Sequence, residues 1–225
     1  MQRLYKLLQI ALIALPLLAM RQDKPLKVIF FGDSITQAGV NPTGYITKMT
    51  EMLKAKGQSG QYQLHGAGIG GNKVYDLYLR LEDDVLSKKP DVVFIYVGIN
   101  DVWHKTSHGT GTDADKYVKF YDALIRKMKA QNIRIIVCTP TVIGERNDNS
   151  NPQDGDLNYY SKLIRDIATK NNVELCDLRK YFGDYLLANN PENKEKGVLT
   201  TDRVHLTEEG NKFLAERMME ALVKK

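Results

Sequence analysis

Three short blocks of the sequence carry residue types that could act together on an ester. The blocks are GDSIT at residues 32–36, GIND at 98–101 and DRVH at 202–205. They supply a hydroxyl, a carboxamide, a carboxylate and an imidazole. A hydroxyl becomes a nucleophile when a base removes its proton, and amide groups stabilise the oxyanion that follows. The blocks therefore predict acyl-transfer chemistry if the fold brings them together.

The candidate nucleophile is Ser34, which ends the apolar segment VIFFGDS. His205 is the candidate base, and Asp202 precedes it by three residues. This spacing lets the carboxylate fold back onto the imidazole and fix its tautomer. Each residue alone has a simpler interpretation: a helix-capping Ser34, a helix-initiating Asp202 and a surface His205. Their joint occurrence favours a catalytic set of three.

Candidate oxyanion donors follow two of the predicted strands. Asn100 offers a side-chain NH2 group, and the run GAGIGG at residues 66–71 offers backbone N–H groups. The backbone N–H of Ser34 would complete a hole with three donors. GAGIGG also matches the Gly-x-Gly-x-x-Gly pattern of dinucleotide-binding proteins, but the following strand lacks an acid that would bind ribose. Nucleotide binding is therefore the minor alternative, and we expect no cofactor.

Further polar and aromatic residues lie close to these blocks. Trp103 and His104 follow Asn100, and we expect them to contact substrate, with loop packing as the alternative for Trp103. His104 and His108 have a spacing that suits a metal on a helix. The polar and glycine residues around His108 predict a loop instead, so we expect no metal.

Two acidic residues, Asp33 and Asp101, belong to the blocks themselves. We assign them a supporting role, in which each carboxylate hydrogen-bonds nearby backbone at the turn that follows a strand.

Apolar runs and amphipathic stretches alternate along the chain and predict the elements that hold the blocks. Runs at residues 28–31, 62–65, 92–97, 133–138 and 173–176 indicate strands buried on both faces, as in a parallel sheet. The order predicts a three-layer α/β/α sandwich with a five-stranded parallel sheet. Because carboxyl ends of parallel strands share one edge, Ser34 and Asn100 should meet there. Polar loops at residues 102–113 and 141–156 should overhang the same edge.

The intervening stretches place apolar residues on single helical faces. Three such faces are predicted to be core: Tyr45, Met49, Met52 and Leu53; Tyr117, Tyr121, Leu124 and Met128; and Leu157, Tyr160, Ile164 and Ile167. Thr207, followed by two glutamates, is predicted to cap the last helix.

Length and charge allow one domain and exclude a nucleic-acid surface. The chain has 225 residues, of which 43% are hydrophobic, and this fits a single globular domain. Its net charge of +5 comes from 32 basic and 27 acidic residues that are scattered, with no basic tract. Cys138 and Cys176 lie in apolar runs, and we interpret both as buried free thiols, with a disulfide as the alternative.

The first 20 residues have the features of an export signal. Arg3 and Lys6 precede an apolar run at residues 7–20, which is short for a membrane span. A secreted or periplasmic protein is the expectation. The cleavage site is poorly marked, so an uncleaved membrane anchor remains the alternative, and membrane contact is expected only in that case.

The ordered blocks resemble the GDSL or SGNH hydrolase family over residues 27–222. Its four named residues are matched in order by Ser34, Gly68, Asn100 and His205. The resemblance implies a serine esterase with a flavodoxin-like sandwich and no metal. It also implies that Ser34 is the nucleophile, Gly68 and Asn100 are oxyanion donors, His205 is the base and Asp202 orients it.

Two positions depart from the family pattern. Gly66 stands where the family often has an asparagine, and Leu206 stands where a proline often follows the histidine. The first change puts the side-chain bracing of the glycine loop in doubt. The second should affect the turn more than the chemistry.

The expected function is hydrolysis of short acyl esters, acetyl above all, of carbohydrates or similar polar substrates through an acyl-enzyme. Export and a polar loop rim favour a glycan ester. A lysophospholipase or other lipid-ester hydrolase is the closest alternative, and the absence of a long apolar lid segment weighs slightly against it. A non-catalytic carbohydrate-binding module is the alternative from another class.

Overall fold

A parallel sheet with helices on both faces forms the centre of the molecule. The computed structural model describes residues 24–224. The strands are β1 (Leu26–Gly32), β2 (Tyr62–Gly68), β3 (Val92–Tyr96), β4 (Arg134–Cys138) and β5 (Glu174–Cys176). They lie in the order β2-β1-β3-β4-β5, and every neighbouring pair is parallel. This confirms the predicted α/β/α sandwich with the flavodoxin-like strand order.

The helices connect the strands and cover the sheet. They are α1 (Ser34–Ala38), α2 (Tyr45–Ala55), α3 (Val74–Leu79), α4 (Leu81–Asp84), α5 (Ile99–Ser107), α6 (Ala114–Lys129), α7 (Asp154–Asn171), α8 (Leu178–Asn189) and α9 (Glu208–Val223), with a 3₁₀ turn at Leu86–Lys88. The predicted core faces of α2, α6 and α7 are buried, apart from Met52, which is partly buried. Thr207 caps α9 as predicted, because its hydroxyl oxygen accepts the N–H of Gly210 at 3.0 Å.

Burial of the strands follows their place in the sheet. β3 is buried along its whole length, and the rings of Phe30 and Phe94 stack at 4.8 Å where β1 and β3 pair. β2 lies at the edge of the sheet and alternates between exposed and half-buried residues over most of its length. An edge strand needs fewer apolar residues, which explains the weak apolar run at residues 62–65.

Two segments differ from the expectations. β2 extends to Gly68, so half of the run GAGIGG is strand and the loop begins at Ile69. The stretch at 102–113, expected to be a loop, is helical as far as Ser107 because α5 begins directly after β3. The first four residues of α5, 99–102, are buried, and its last two, Thr106 and Ser107, are exposed. By contrast, the predicted loop at 141–156 has no helix until α7 begins at Asp154.

Buried tyrosines fix the end of β3, next to Asn100. The hydroxyls of Tyr117 and Tyr121 each donate to the carbonyl oxygen of Val97 at 3.0 Å. Gly98 follows with a φ of +141°, and a Cβ atom there would lie 2.4 Å from the Tyr117 hydroxyl. Only glycine suits this conformation and this close approach. The turn into α5 is thus set by packing from α6.

Both cysteines are free and buried, as predicted. They lie opposite each other in the register of the neighbouring strands β4 and β5. Within residues 24–224, no helix is long and apolar enough to cross a membrane. The predicted signal or anchor at residues 1–20 lies outside the described residues.

Gly68→Ala should destabilise the protein because α1 packs directly on Gly68. The added Cβ would lie 2.1 Å from the Gln37 nitrogen and 2.5 Å from the Thr36 carbonyl carbon, which are backbone atoms that cannot move alone. We expect a loss of about 1–3 kcal/mol in the free energy of unfolding, measured by urea titration. In the control Gly183→Ala, nothing lies within 4 Å of the new Cβ in α8, so stability should rise slightly. Equal stability of the two variants would contradict this account.

Candidate active site

The predicted blocks meet where the strand order reverses. β1 and β3 are neighbours in the sheet, while the chain passes through β2 at the edge between them. A crevice opens outside the carboxyl ends of strands at such a point. Ser34 begins α1 after β1, and Asn100 lies in the first turn of α5 after β3. The structure therefore places the hydroxyl and the carboxamide at one crevice.

Asp202 and His205 reach this crevice from the far end of the chain. The Ser34 Oγ atom lies 2.9 Å from His205 Nε2. On the other side of the ring, Nδ1 lies 2.7 Å from Asp202 Oδ2. The side chains of His205 and Asp202 are 39% and 49% exposed, so the site is open to solvent. The three candidate catalytic residues thus form one continuous hydrogen-bonded chain.

Asp202 is held in the orientation that this chain requires. Its Oδ1 atom accepts the N–H of His205 at 2.8 Å and that of Val204 at 3.1 Å. Partial burial acts to raise the pKa of Asp202, but the hydrogen bonds from the His205 ring and these two N–H groups outweigh it and lower the pKa. An anionic Asp202 can only accept a hydrogen bond, so this contact favours the tautomer of His205 with Nδ1 protonated and Nε2 as the acceptor towards Ser34.

Two of the predicted oxyanion donors, which lie at this crevice, have unused N–H groups within the described residues. The buried Asn100 donates one side-chain N–H to the Asn72 carbonyl at 3.0 Å, so the second remains available. Ser34 is the first residue of α1, and its N–H has no intrahelical acceptor. A third donor must come from the loop that follows β2.

The prediction that Gly68 supplies this donor is wrong. Gly68 is the last residue of β2 and pairs with Gly32 of β1. The next residue, Ile69, donates its N–H to the Gly32 carbonyl at 3.3 Å. Because successive N–H groups of a strand point to opposite sides, the Gly68 N–H points away from β1 and from Ser34. Gly68 instead provides the close approach of α1 to the sheet.

Two further glycines, Gly70 and Gly71, lie beyond Gly68 in the loop that follows β2. A Cβ atom at Gly70 would be 4.0 Å from the Ser34 Cβ, and one at Gly71 would be 3.9 Å from the His104 ring. Gly71 has a φ of +75°, a conformation that favours glycine. Its N–H has no acceptor within the described residues. The doubled glycine before Asn72 is the sequence signal that could have directed attention to Gly71.

A half-buried arginine that the sequence did not single out braces this loop. Arg80 donates to the Gly32 carbonyl and to the Asn72 side chain, each at 2.7 Å, and to the Ala67 carbonyl at 3.1 Å. Its guanidinium also lies 4.5 Å from the centre of the Phe31 ring. Arg80 therefore ties the ends of β1 and β2 to Asn72, which in turn holds Asn100. Side-chain bracing comes from Arg80 although Gly66 replaces the usual asparagine.

The two supporting carboxylates bind backbone N–H groups, as predicted. Asp33 accepts the N–H of Ile35 at 3.0 Å, and Asp101 accepts that of Val74 at 3.2 Å. Both are buried. Burial is the main cause that raises the pKa of Asp33 to about 7 and the pKa of Asp101 to about 6, and each is lowered in part by these hydrogen bonds.

Trp103 and His104 lie at the rim of the crevice. The Trp103 ring centre is 6.2 Å from that of His205 and 5.6 Å from that of His104. His104 and His108 lie on the last turn and at the C-cap of α5, with ring centres 4.3 Å apart, so the expected loop at this pair is wrong. Partial burial, then the charges of Lys73 and His108, lower the pKa of His104. The described residues contain no group of three or more side chains that could hold a metal.

The sequence profile of the GDSL-like Lipase/Acylhydrolase family matches residues 30–213. The chain belongs to this family. The match covers the nucleophile block, the Asn100 block and the Asp202–His205 block. Membership of the GDSL family makes the protein a carboxylic ester hydrolase, and it confirms the resemblance that the blocks indicated.

Members of the GDSL family with the same architecture are known. An acetylxylan esterase of Geobacillus stearothermophilus is 31% identical over 208 residues, covering 86% of this chain and 92% of that protein. The crystal structure of an acetyl xylan esterase, AlAXEase, is 65% identical, covers 88% of this chain and 100% of that chain, and superposes with a TM-score of 0.87. An uncharacterized lipoprotein of Bacillus subtilis is 24% identical over 217 residues, covering 87% of this chain and 89% of that protein.

Crystal structures of the Geobacillus esterase include catalytic mutants. The histidine mutant is 27% identical to this chain and superposes with a TM-score of 0.78. The match covers 89% of this chain and 95% of the mutant. In two further catalytic mutants of that enzyme, an aspartate or a serine is replaced by alanine.

Asp33→Asn should make the free energy of unfolding less sensitive to pH. An aspartate titrates near 3.8 in the unfolded chain and Asp33 at about 7 in the folded one, so the folded state retains a proton that the unfolded state releases between these values. The free energy of unfolding should therefore fall as pH rises through this window. Asparagine keeps the cap on Ile35 without a charge. Relative to wild type, the variant should gain on the order of 2 kcal/mol between pH 5 and pH 8 in urea titrations. Parallel pH dependences for the two proteins would disprove the raised pKa.

Proposed function

We propose that this protein hydrolyses acetyl esters of carbohydrates through a covalent acyl-enzyme on Ser34. The observation that carries the proposal is the hydrogen-bonded chain from Ser34 through His205 to Asp202, with distances of 2.9 and 2.7 Å. In this proposal Ser34 is the nucleophile, His205 the general base and acid, and Asp202 the residue that orients the ring.

In the first half-reaction, the Ser34 oxygen attacks the ester carbonyl carbon while its proton passes to His205 Nε2. The carbonyl oxygen becomes an oxyanion in the tetrahedral intermediate. His205 then gives the proton to the sugar oxygen, the bond between this oxygen and the acyl carbon breaks, and the alcohol leaves. The acetyl group remains on Ser34. Asp202 stabilises the imidazolium that exists between the two proton transfers.

In the second half-reaction, water takes the place of the sugar alcohol. His205 removes a proton from the water as its oxygen attacks the acetyl carbon. The proton then returns to the Ser34 oxygen as the acyl bond breaks, and acetic acid leaves as acetate after ionisation. Each cycle consumes one ester and one water and restores Ser34, so no cofactor is needed.

The oxyanion donors in this mechanism are the N–H of Ser34, the side chain of Asn100 and the N–H of Gly71. Gly71 replaces the earlier candidate Gly68. Its support is its position on the loop beside Ser34, its unused N–H and the bond from Asn100 to the neighbouring Asn72. Fixed donors of this kind lower the barrier because they need no reorganisation when charge develops.

A carbohydrate acetate is the substrate that the relatives and the shape of the site favour. The two esterase relatives act on acetylated xylan, according to their names. The exposure of His205 and Asp202 leaves room for a substrate that extends beyond the acyl group. Trp103, beside His205, offers an aromatic wall for a sugar ring or the acyl group, and His104 lies next to it. The lipid-ester and non-catalytic alternatives have no comparable support.

Export to the cell exterior or periplasm completes the proposal. Arg3 and Lys6 ahead of the apolar run at residues 7–20 support an export signal, and a lipoprotein among the relatives is compatible with a retained anchor. Either arrangement would bring the site to extracellular glycan.

Ser34→Ala should abolish ester hydrolysis without unfolding the protein. Alanine removes the attacking oxygen, so kcat/KM on 4-nitrophenyl acetate and on acetylated xylo-oligosaccharides should fall about 10⁴-fold or more. Circular dichroism checks the fold. Ser87→Ala, on the exposed 3₁₀ turn before β3, is the matched control and should keep full activity. Substantial turnover by a folded Ser34→Ala protein would remove Ser34 as the nucleophile.

Asn100→Ala should lower kcat about 10²- to 10³-fold, because the lost N–H acts on the oxyanion and not on the bound ester. Steady-state kinetics on acetylated xylo-oligosaccharides would separate kcat from KM. Asn189→Ala is the control, since the one hydrogen bond of that side chain within residues 24–224 lies inside α8. A rise in KM at constant kcat would show that Asn100 binds substrate and does not stabilise the transition state.

A further inference from the structure

The segment that carries Asp202 and His205 is held without regular secondary structure. Residues 197–207, the His205 loop, fold back on themselves. The N–H of Gly197 donates to the Thr200 carbonyl at 2.7 Å, and the N–H of Thr207 donates to the Leu199 carbonyl at 2.9 Å. Thr200 also forms an isolated β-bridge with Leu206. Leu199 and Val204 anchor the loop by burying their side chains in the core, but the buried N–H groups of the loop still need acceptors.

A buried carboxylate lies at the base of the His205 loop. The side chain of Glu145 accepts the N–H of Val198 at 2.8 Å and that of Leu199 at 2.7 Å. It also accepts the N–H and the hydroxyl of Thr200, the latter at 2.8 Å. Glu145 has no exposed surface, and within residues 24–224 it forms no ion pair. Backbone dipoles of the loop therefore take the place of a cation around this charge.

Glu145 is fixed from its own backbone as well. Its N–H donates to the Glu195 carbonyl, and its carbonyl accepts the side chain of the buried Asn190, each at 2.9 Å. The preceding Gly144 donates its N–H to the Arg203 carbonyl at 2.9 Å. Contacts from residues 144 and 145 thus reach the His205 loop at its base and beside Asp202.

We propose that Glu145 is a positioning residue for the catalytic set: its carboxylate organises residues 198–200 and thereby places Asp202 and His205 against Ser34. This inference rests on the proposed function. The path is short, because the N–H and the hydroxyl of Thr201, next to Thr200, both donate to the His205 carbonyl, at 2.8 and 3.1 Å. Thr201, which follows the anchored Thr200, is therefore hydrogen-bonded directly to His205.

Only an anionic carboxylate satisfies four donors at this place. Glutamine has one acceptor oxygen. In one orientation its NH2 group would face the N–H of Val198, and in the other it would face the N–H groups of Leu199 and Thr200. At least one buried N–H would lose its acceptor, and the loop would have to move to find another. Aspartate keeps the charge but is shorter by one methylene group.

The test compares Glu145→Gln, Glu145→Asp and the control Asp177→Asn. Glu145→Gln should lower kcat on 4-nitrophenyl acetate about 10- to 100-fold with little change in KM, because a small displacement of His205 misaligns proton transfer. It should also move the acidic limb of the pH–rate profile and shift the proton resonance of His205 Nδ1–H in NMR spectra. Glu145→Asp should restore part of kcat and of this resonance.

Asp177→Asn controls for the loss of a partly buried carboxylate with several partners. Asp177 binds Arg165 and the hydroxyl of Thr139 beside β5, outside the His205 loop. This variant should lower the melting temperature while kcat, the pH profile and the His205 resonance stay as in wild type. If Glu145 only stabilised the fold, Glu145→Gln would likewise lower the melting temperature and leave kcat, the pH profile and the His205 resonance unchanged.

A folded Glu145→Gln protein with wild-type kcat, pH profile and His205 resonance would overturn the proposal. If this variant does not fold, Glu145→Asp decides: reduced kcat with a shifted resonance supports the proposal, and wild-type values of both overturn it. Failure of the proposed function is a separate result, namely a wild-type protein no more active than Ser34→Ala on every acetate ester. The His205 resonance reports positioning in that case too, since it needs no substrate.

Discussion

The reversal of strand order between β1 and β3 is the constraint on which the rest of the site depends. It opens a crevice at one place only along the edge of the sheet, and the two strands that border it deliver Ser34 and Asn100. Close packing then restricts the residues at these strand ends. A Cβ atom at Gly32 would lie 2.4 Å from the Tyr96 carbonyl oxygen of the neighbouring strand, so β1 can approach β3 there only with glycine. The hydroxyl and the carboxamide owe their proximity to the sheet and not to contacts with each other.

The crevice floor buries several polar groups. Asp33, Asn100 and Asp101 are almost fully buried, and their partners are mainly backbone groups at the starts of helices and in the glycine loop. Such an arrangement costs stability, as the raised pKa values of both carboxyl groups indicate. It also removes freedom from the first turns of α1 and α5. Burial of these groups lowers the stability of the fold, but it fixes the directions of the groups that would face an ester.

Sequence patterns predicted those parts of the molecule whose signals are local. Continuous apolar runs identified the five strands, and the three-residue spacing of Asp202 and His205 identified a carboxylate that can reach its own histidine. Gly68 was misassigned because the run GAGIGG has no periodicity that marks where strand ends and loop begins. α5 was missed because it is short and two of its buried residues, Asn100 and Asp101, are polar, which obscures the apolar periodicity of a helix. Glu145 had no signal, since three of its four donors are backbone N–H groups, which are the same in every sequence. Arg80 was not singled out because it also binds the backbone carbonyls of Gly32 and Ala67, which no sequence pattern marks.

The two halves of the proposed catalytic machinery are positioned by different physical means. Ser34 and Asn100 begin helices anchored to a buried sheet, and many small packing contacts fix them. Asp202 and His205 come from a loop near the opposite end of the chain. Its apolar side chains, Leu199 and Val204, are buried in the core, but its backbone follows no helix or strand, so hydrogen bonds must set the direction of the polar groups. Hydrogen bonds are directional, so a loop built this way can be precise only if its donors have acceptors that do not move. The buried carboxylate of Glu145, fixed through its own backbone, meets this requirement because burial removes the competing water that would otherwise satisfy the same N–H groups.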